Sequence, residues 1–364
     1  MKSQLKEIIE IEKIIHQLGD QVDAQIIGQV KDGEVIHPIY SLTFGSSDPQ
    51  APVLGIVAGV HGLERIGSEV CMSLLNHFVS TLSWDRQMQA VLQRIRIFFI
   101  PTINPTGLKH RTRSNQNGVD LMRNAPVDAE GEVSFLVGGH RYSKHLPWYR
   151  GHSEKMEIEA AALVTEVERQ ISHSVCSFVL DIHSGFGVQD RLWFPFAKST
   201  KPYRDLSLVW AFKKLFSQVH PFHFYKIEPQ SLNYTTHGDL WDYLYIRHEK
   251  HALHMPDLAT EYRQQKLNLV DLVAQGKDFA GPFLPICLEM GSWMWLRKNP
   301  LQIFSALGPF NPIKKHRHQR VLRRHKSLFE FLIRLMNNYD VWLTDALVNE
   351  SEYQNAAKSE WYKE

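Results

Sequence analysis

The sequence predicts an α/β protein, a three-layer α/β/α domain around a central mixed, largely parallel sheet. Three observations lead there. Four short apolar runs are continuous rather than alternating, as in strands covered on both faces: P-V-L-G-I-V-A-G-V at 52–60, I-R-I-F-F-I at 95–100, C-S-F-V-L-D-I at 176–182 and F-L-P-I-C-L-E at 283–289. Helical patterns lie between them. Each run also ends near a polar or ionisable residue with glycine close by: His61 and Glu64, Asn104, His183, Glu289. Functional residues of open α/β sheets gather at the carboxyl ends of strands.

The elements follow in order. Leu5, Ile8, Ile11, Ile15 and Leu18 recur at helical spacing, which predicts an amphipathic helix over 4–18. A strand region over 25–44 is broken by a turn at Asp32-Gly33. The run at 52–60 leads into a helical pattern that lasts to about Ser80. The run at 95–100 is closed by Pro101, and a polar stretch rich in Asn, Gly and Arg covers 104–124. A helix with an acidic start is predicted over 157–172, and an amphipathic helix over 321–337. There is no internal repeat and no linker, so the expectation is one domain over residues 1–364, with a helical region from 292 onward.

Composition narrows the function classes. Hydrophobic residues make up 43% and charged residues 22% of 364, which suits a folded globular chain with a large core. A net charge of +2 does not call for nucleic acid or an anionic membrane as partner. Cys71, Cys176 and Cys287 lie far apart in apolar segments, which argues against a disulfide framework. The N-terminus has early acidic residues and no secretory pattern, and no apolar run approaches the roughly 20 residues that span a bilayer. A cytoplasmic protein is expected.

The chemistry sits at the strand ends. Zinc takes imidazole nitrogen and carboxylate oxygen, and catalytic sites use three protein ligands with one position open. His61 and Glu64, three apart where a strand runs into a helix, can aim at one point. His183, ending another strand, can supply the third ligand. H-x-x-E alone is a weak signal in a chain with 19 histidines. Placement lifts the set, because each candidate follows a buried strand beside a small residue.

The order of motifs resembles the zinc carboxypeptidases of the carboxypeptidase A-like family. The chain shows H-G-L-E at 61–64, N-P-T-G at 104–107 and R-S-N-Q-N-G-V-D-L-M-R-N at 113–124. L-D-I-H-S-G follows at 180–185, Y-T-T-H-G-D-L-W-D-Y at 234–243 and L-E-M-G at 288–291. The similarity covers about 52–291. It implies one zinc ion on His61, Glu64 and His183, with Glu289 as general base. It implies Arg113, with Arg111 as its near competitor, for polarising the scissile carbonyl, and Arg123 for clamping a terminal carboxylate. Tyr234 matches a tyrosine that covers bound substrate, with Gly238, Asp242 and Tyr243 in register behind it. Asp120 matches a carboxylate that holds a zinc-ligating imidazole, here paired with His61. Trp241 falls near the floor of the side-chain pocket.

The implied activity is metallocarboxypeptidase hydrolysis of a C-terminal peptide bond. One departure matters. Met122 stands where the family has an Asn that helps bind the terminal carboxylate, and a thioether donates no hydrogen bond. This keeps open a zinc amidohydrolase acting on N-acyl amino acids or cell-wall peptides. A non-catalytic peptide-binding module is the third reading, opposed by Glu289 and Arg113. The expected partner is therefore a peptide or N-acyl amino acid, with no nucleic acid and no membrane; the sequence does not set the oligomeric state. His248, His251 and His254 read as a solvated helix face, the basic run at 314–326 as exposed surface, and 125–156 as a long insertion near the site mouth that could form a lid.

Overall fold

Among the described residues, eight strands form one sheet in the order β1-β2-β4-β3-β5-β8-β6-β7. The computed structural model describes residues 5–362 apart from 154, 253, 266–279 and 306. The first hairpin, β1 (Asp23–Asp32) and β2 (Val35–Gly45), turns where Asp32-Gly33 predicts. β3 (Val53–Ala58), β4 (Arg96–Ile100), β5 (Ser177–Ser184) and β8 (Phe283–Met290) are the four continuous apolar runs, and they lie side by side in parallel. Every residue of β3, β5 and β8 is buried. Alternate residues of a strand face opposite ways, so helices must cover both faces. Two strands escape the sequence reading, β6 (Arg191–Phe194) and β7 (Lys226–Pro229). At four residues each they are too short to carry a pattern.

The opening helix α1 spans Lys6–Leu18, residue 4 lying outside the described residues. α2 (Arg65–Leu82) packs on β3 and β5. α3 (Arg86–Leu92) and α4 (Pro105–His110) flank β4 in sequence, and α5 (Ile158–Ile171) packs on β1. α6 (Leu206–Val219), α7 (Leu240–Glu249) and α8 (Met255–Gln265) precede β8. α9 (Trp293–Lys298), α10 (Lys315–Arg324), α11 (Lys326–Asn337), α12 (Tyr339–Val348) and α13 (Glu350–Trp361) follow it. Phe44, Phe78, Phe99 and Phe329 meet edge to face at centroid distances of 5.1–6.2 Å and tie α2 and α11 to the sheet. Each buried ring of this kind contributes about 1.5–3 kcal/mol.

Two expectations are corrected here. The helix over 321–337 is two helices, because the chain bends at His325. The His325 imidazole is 1% exposed, and its Nδ1 lies 2.8 Å from the Tyr225 hydroxyl. That partner is a hundred residues away, so no local pattern announces it. His248 and His254 are buried rather than solvated: His248 Nε2 lies 2.9 Å from the Gly281 carbonyl, and His254 Nδ1 lies 2.8 Å from Asp205. Only His251 of the three is exposed. No helix among the described residues is long and apolar enough to cross a membrane.

Candidate metal centre

β4 and β5 lie on opposite sides of β3, so the chain order reverses there and opens a crevice at the carboxyl ends. His61 and Glu64 leave β3 into that crevice. The turn between them is crowded: a Cβ on Gly62 would sit 1.8 Å from the Gly107 backbone of α4, so only glycine fits. Asn104, the other strand-end candidate, serves this packing rather than the chemistry. Its Oδ1 accepts from Gly107 N at 2.8 Å and its Nδ2 donates to the Val60 carbonyl at 3.2 Å. Glu64 precedes α2, where the helix N-terminus favours a carboxylate, and its Oε2 accepts from Ser184 N at 2.9 Å.

His61, Glu64 and His183 come together. His61 Nδ1 lies 2.9 Å from Glu64 Oε1, and His183 Nδ1 lies 3.2 Å from Oε2. The three ligand atoms fall within 4.8 Å of one another, and all three residues are buried. Each imidazole is held from behind through its other nitrogen. His61 Nε2 lies 2.9 Å from Asp120 Oδ1, as the resemblance implies, and His183 Nε2 lies 2.6 Å from Asp181 Oδ2. A carboxylate on Nε2 keeps the proton there and turns the Nδ1 lone pair inward. Two inward imidazole nitrogens and a carboxylate are a zinc donor set. Burial pulls the His183 pKa down, but Asp181 and Glu64 outweigh it and raise it well above 6.5. Burial works against ionised Glu64 too, yet His61 and His183 hold it below the usual carboxylate range.

Asp181 is a residue the sequence reading missed. The signal was present, since it lies two before His183 on a strand and therefore on the same face. Its Oδ2 also accepts from Trp241 Nε1 at 2.8 Å. Trp241, expected near the floor of a side-chain pocket, is 4% exposed and turned inward behind His183.

Asp120 gathers three partners. Arg113 Nε donates to its Oδ2 at 2.8 Å and Arg123 Nη1 at 3.0 Å, besides His61. Burial raises its pKa, but Arg113, Arg123 and His61 drive it well below the ordinary value. Arg113 Nη1 is 3.4 Å from Glu64 Oε1, which puts this arginine at the metal ligands. Arg111 is exposed and caps α4 in a left-handed conformation. Arg123 is 3% exposed, with Nε on the Val137 carbonyl at 3.0 Å. The 125–156 insertion thus lies against it. Arg150 pins that segment with bonds to the carbonyls of Arg123 (3.2 Å) and Val127 (2.9 Å). Gly138 O accepts from His237 N at 2.8 Å. Met122 lies in the hydrophobic core.

Glu289, next to the last residue of β8, pairs with His183 on β5. Its Oε1 accepts from Phe186 N at 3.0 Å. Burial and the nearby Glu64 push its pKa up to about 8, against His183, the Phe186 N–H and Arg113. Tyr234 is half-buried, its ring 5.8 Å from Phe186 and 5.9 Å from Trp193. Burial pushes its hydroxyl up to about 12. The turn that carries it depends on Gly238, at φ +75°, where a Cβ would lie 1.9 Å from the Arg123 carbonyl oxygen.

A family model described as zinc carboxypeptidase matches residues 11–266. Mouse carboxypeptidase A4 is 23% identical over 209 residues, 54% of this chain and 48% of that protein. The rat carboxypeptidase N catalytic chain is 24% identical over 234 residues, 57% of this chain and 50% of that one. The matches thus span about half the length of these relatives. Among solved structures, bovine thrombin-activatable fibrinolysis inhibitor in complex with tick carboxypeptidase inhibitor superposes with a TM-score of 0.57 at 20% identity, covering 93% of this chain and 95% of that one. Carboxypeptidase A from Helicoverpa armigera gives 0.55 at 16% identity, covering 87% and 71%. These two likenesses concern the fold. The family match stops before Glu289, whose place rests on the strand register. With the match over most of its length and the same donor set at the strand ends, the chain belongs to the zinc carboxypeptidase family.

Proposed function

We propose that the chain is a zinc-dependent metallocarboxypeptidase that hydrolyses a C-terminal peptide bond. The carrying observation is the convergence of His61, Glu64 and His183, each imidazole backed by an aspartate, with Glu289 one strand away at the same register as His183. A zinc ion on these three residues supplies Lewis acidity and lowers the pKa of water. Glu289, steadied through Oε1 by the Phe186 N–H, takes the proton of the attacking water and passes it to the leaving amine. Its burial makes it the more willing proton acceptor. Arg113 is held by Asp120 through Nε and keeps its side chain 22% exposed, so its outer edge faces the developing oxyanion. Tyr234 and Phe186 wall one side and limit water.

A specific observation favours a second reading, a zinc amidohydrolase on N-acyl amino acids or cell-wall peptides. Met122 is in the core, and Arg123 is buried with Nε and Nη1 both engaged inside the protein. The test is a panel of C-terminally free peptides, C-terminally blocked peptides and N-acyl amino acids, run with metal analysis before and after chelation. Cleavage of free peptides alone, lost with the metal, supports the first reading. Equal cleavage of free and blocked peptides overturns it.

A further inference from the structure

Residues 290–329 hold nine Lys and Arg and no Asp or Glu. The whole chain carries only +2, so its near-neutral total conceals a strong local segregation. α10 lies in this stretch with Val321 buried, His318 turned to Glu69 at 2.6 Å and Arg324 to Asp190 at 3.1 Å. Lys315, His316, Arg320 and Arg323 are left on its exposed side.

The loop leading into α10 presents the opposite character. Leu301 is 75% exposed, Ile303 61% and Phe304 86%. These side chains are held out by construction. Gln302 between them is 2% exposed, and its Nε2 donates to the carbonyls of Gly308 at 2.5 Å and Asn311 at 2.7 Å. Asn311 in turn donates to the Leu63 carbonyl at 2.7 Å. Exposed Arg297 and Lys298 precede this apolar tip, and exposed Ile313, Lys314 and Lys315 follow it.

We propose that this loop and the exposed face of α10 dock on an anionic phospholipid bilayer. Leu301, Ile303 and Phe304 enter the boundary between headgroups and acyl chains, and the flanking cations pair with the headgroups. Aliphatic tips favour lipid over other polyanions. Leu301 and Ile303 cannot stack on bases, and an acidic peptide gives them no apolar phase. Through Asn311 the base of this loop is tied to Leu63, between His61 and Glu64. The proposal is independent of which substrate is cleaved.

The test is sedimentation of the full chain with vesicles of phosphatidylcholine, with and without phosphatidylglycerol, at low and high salt. The wild type is expected to bind only the anionic vesicles and to release in salt. Each cation near an anionic surface contributes roughly fivefold, so K315Q/R320Q/R323Q should weaken binding on the order of a hundredfold. L301S/F304S should weaken it about tenfold or more. Both variants should melt with the wild type, since the altered side chains are exposed. The proposal fails if anionic vesicles do not sediment the wild type, or if L301S/F304S binds them unchanged. Displacement from vesicles by polyglutamate or duplex DNA that L301S/F304S binds as tightly as the wild type would reassign the surface to a soluble polyanion.

Discussion

Asp181 offers the sharpest test of how the centre is built. Its Oδ2 accepts from His183 Nε2 at 2.6 Å and Trp241 Nε1 at 2.8 Å, while its buried Oδ1 has no hydrogen-bond partner among the described residues. Asp181→Asn can place its one carbonyl oxygen at the Oδ2 position and keep both bonds. What it removes is the charge behind the imidazole. Zinc affinity should therefore fall roughly tenfold to a hundredfold, about 1.4–2.7 kcal/mol. The metal-free protein should lose stability too, by about 1–3 kcal/mol, because the new amide NH2 takes the buried Oδ1 position, where it meets no acceptor among the described residues, and the charge that favours the His183 imidazolium is gone. Asp181→Ala leaves two buried N–H groups unpaired, at about 1–3 kcal/mol each, so it should lose both affinity and stability. Competition with a chelating dye reads the first quantity and urea unfolding the second. Unchanged zinc affinity in Asp181→Asn would refute the reasoning, since the carboxylate would then be only a packing group.

Other outcomes follow from the same geometry. Glu289→Gln should bind zinc as the wild type does yet lose roughly a hundredfold to ten-thousandfold in hydrolysis; retained turnover would remove Glu289 from the mechanism. Gly238→Ala should destabilise by more than about 2 kcal/mol, from a left-handed alanine and the clash 1.9 Å from the Arg123 oxygen, and calorimetry would register the drop. Burial holds the folded-state pKa of His248 at about 4, against the Gly281 carbonyl and below the ordinary 6.5. Its contribution is therefore full above 6.5 and is lost as pH falls towards 4, amounting to about 2 kcal/mol by pH 5. His248→Gln keeps a donor for Gly281 and should flatten that part of the acid limb in urea titrations; an unchanged slope would count against the assignment.

Much of this was legible in the sequence, for physical reasons that also mark where it stopped. β3, β4, β5 and β8 were readable because strands buried on both faces leave unbroken apolar runs, and their ends delivered His61, Glu64, His183 and Glu289. β6 and β7 are too short to leave a period. The bend at His325 depends on Tyr225, and the burial of His254 on Asp205, so both are settled by distant residues. Arg113 and Arg123 were readable as residues but not as an arrangement. Only folding brings them both to Asp120, and only the backbone of the insertion places Val137 O on Arg123.

His183 and Glu289 face each other across adjacent strands of one parallel ladder. Their separation is therefore a property of the sheet, set by main-chain hydrogen bonds rather than by any loop. The connections around them are free to differ. The insertion at 125–156 and the loop before α10 can lengthen, shorten or change charge and so redefine what reaches the centre, while the spacing between His183 and Glu289 stays as the ladder dictates. Changing the substrate and keeping the reaction are then separate problems for this chain, solved in different parts of its sequence.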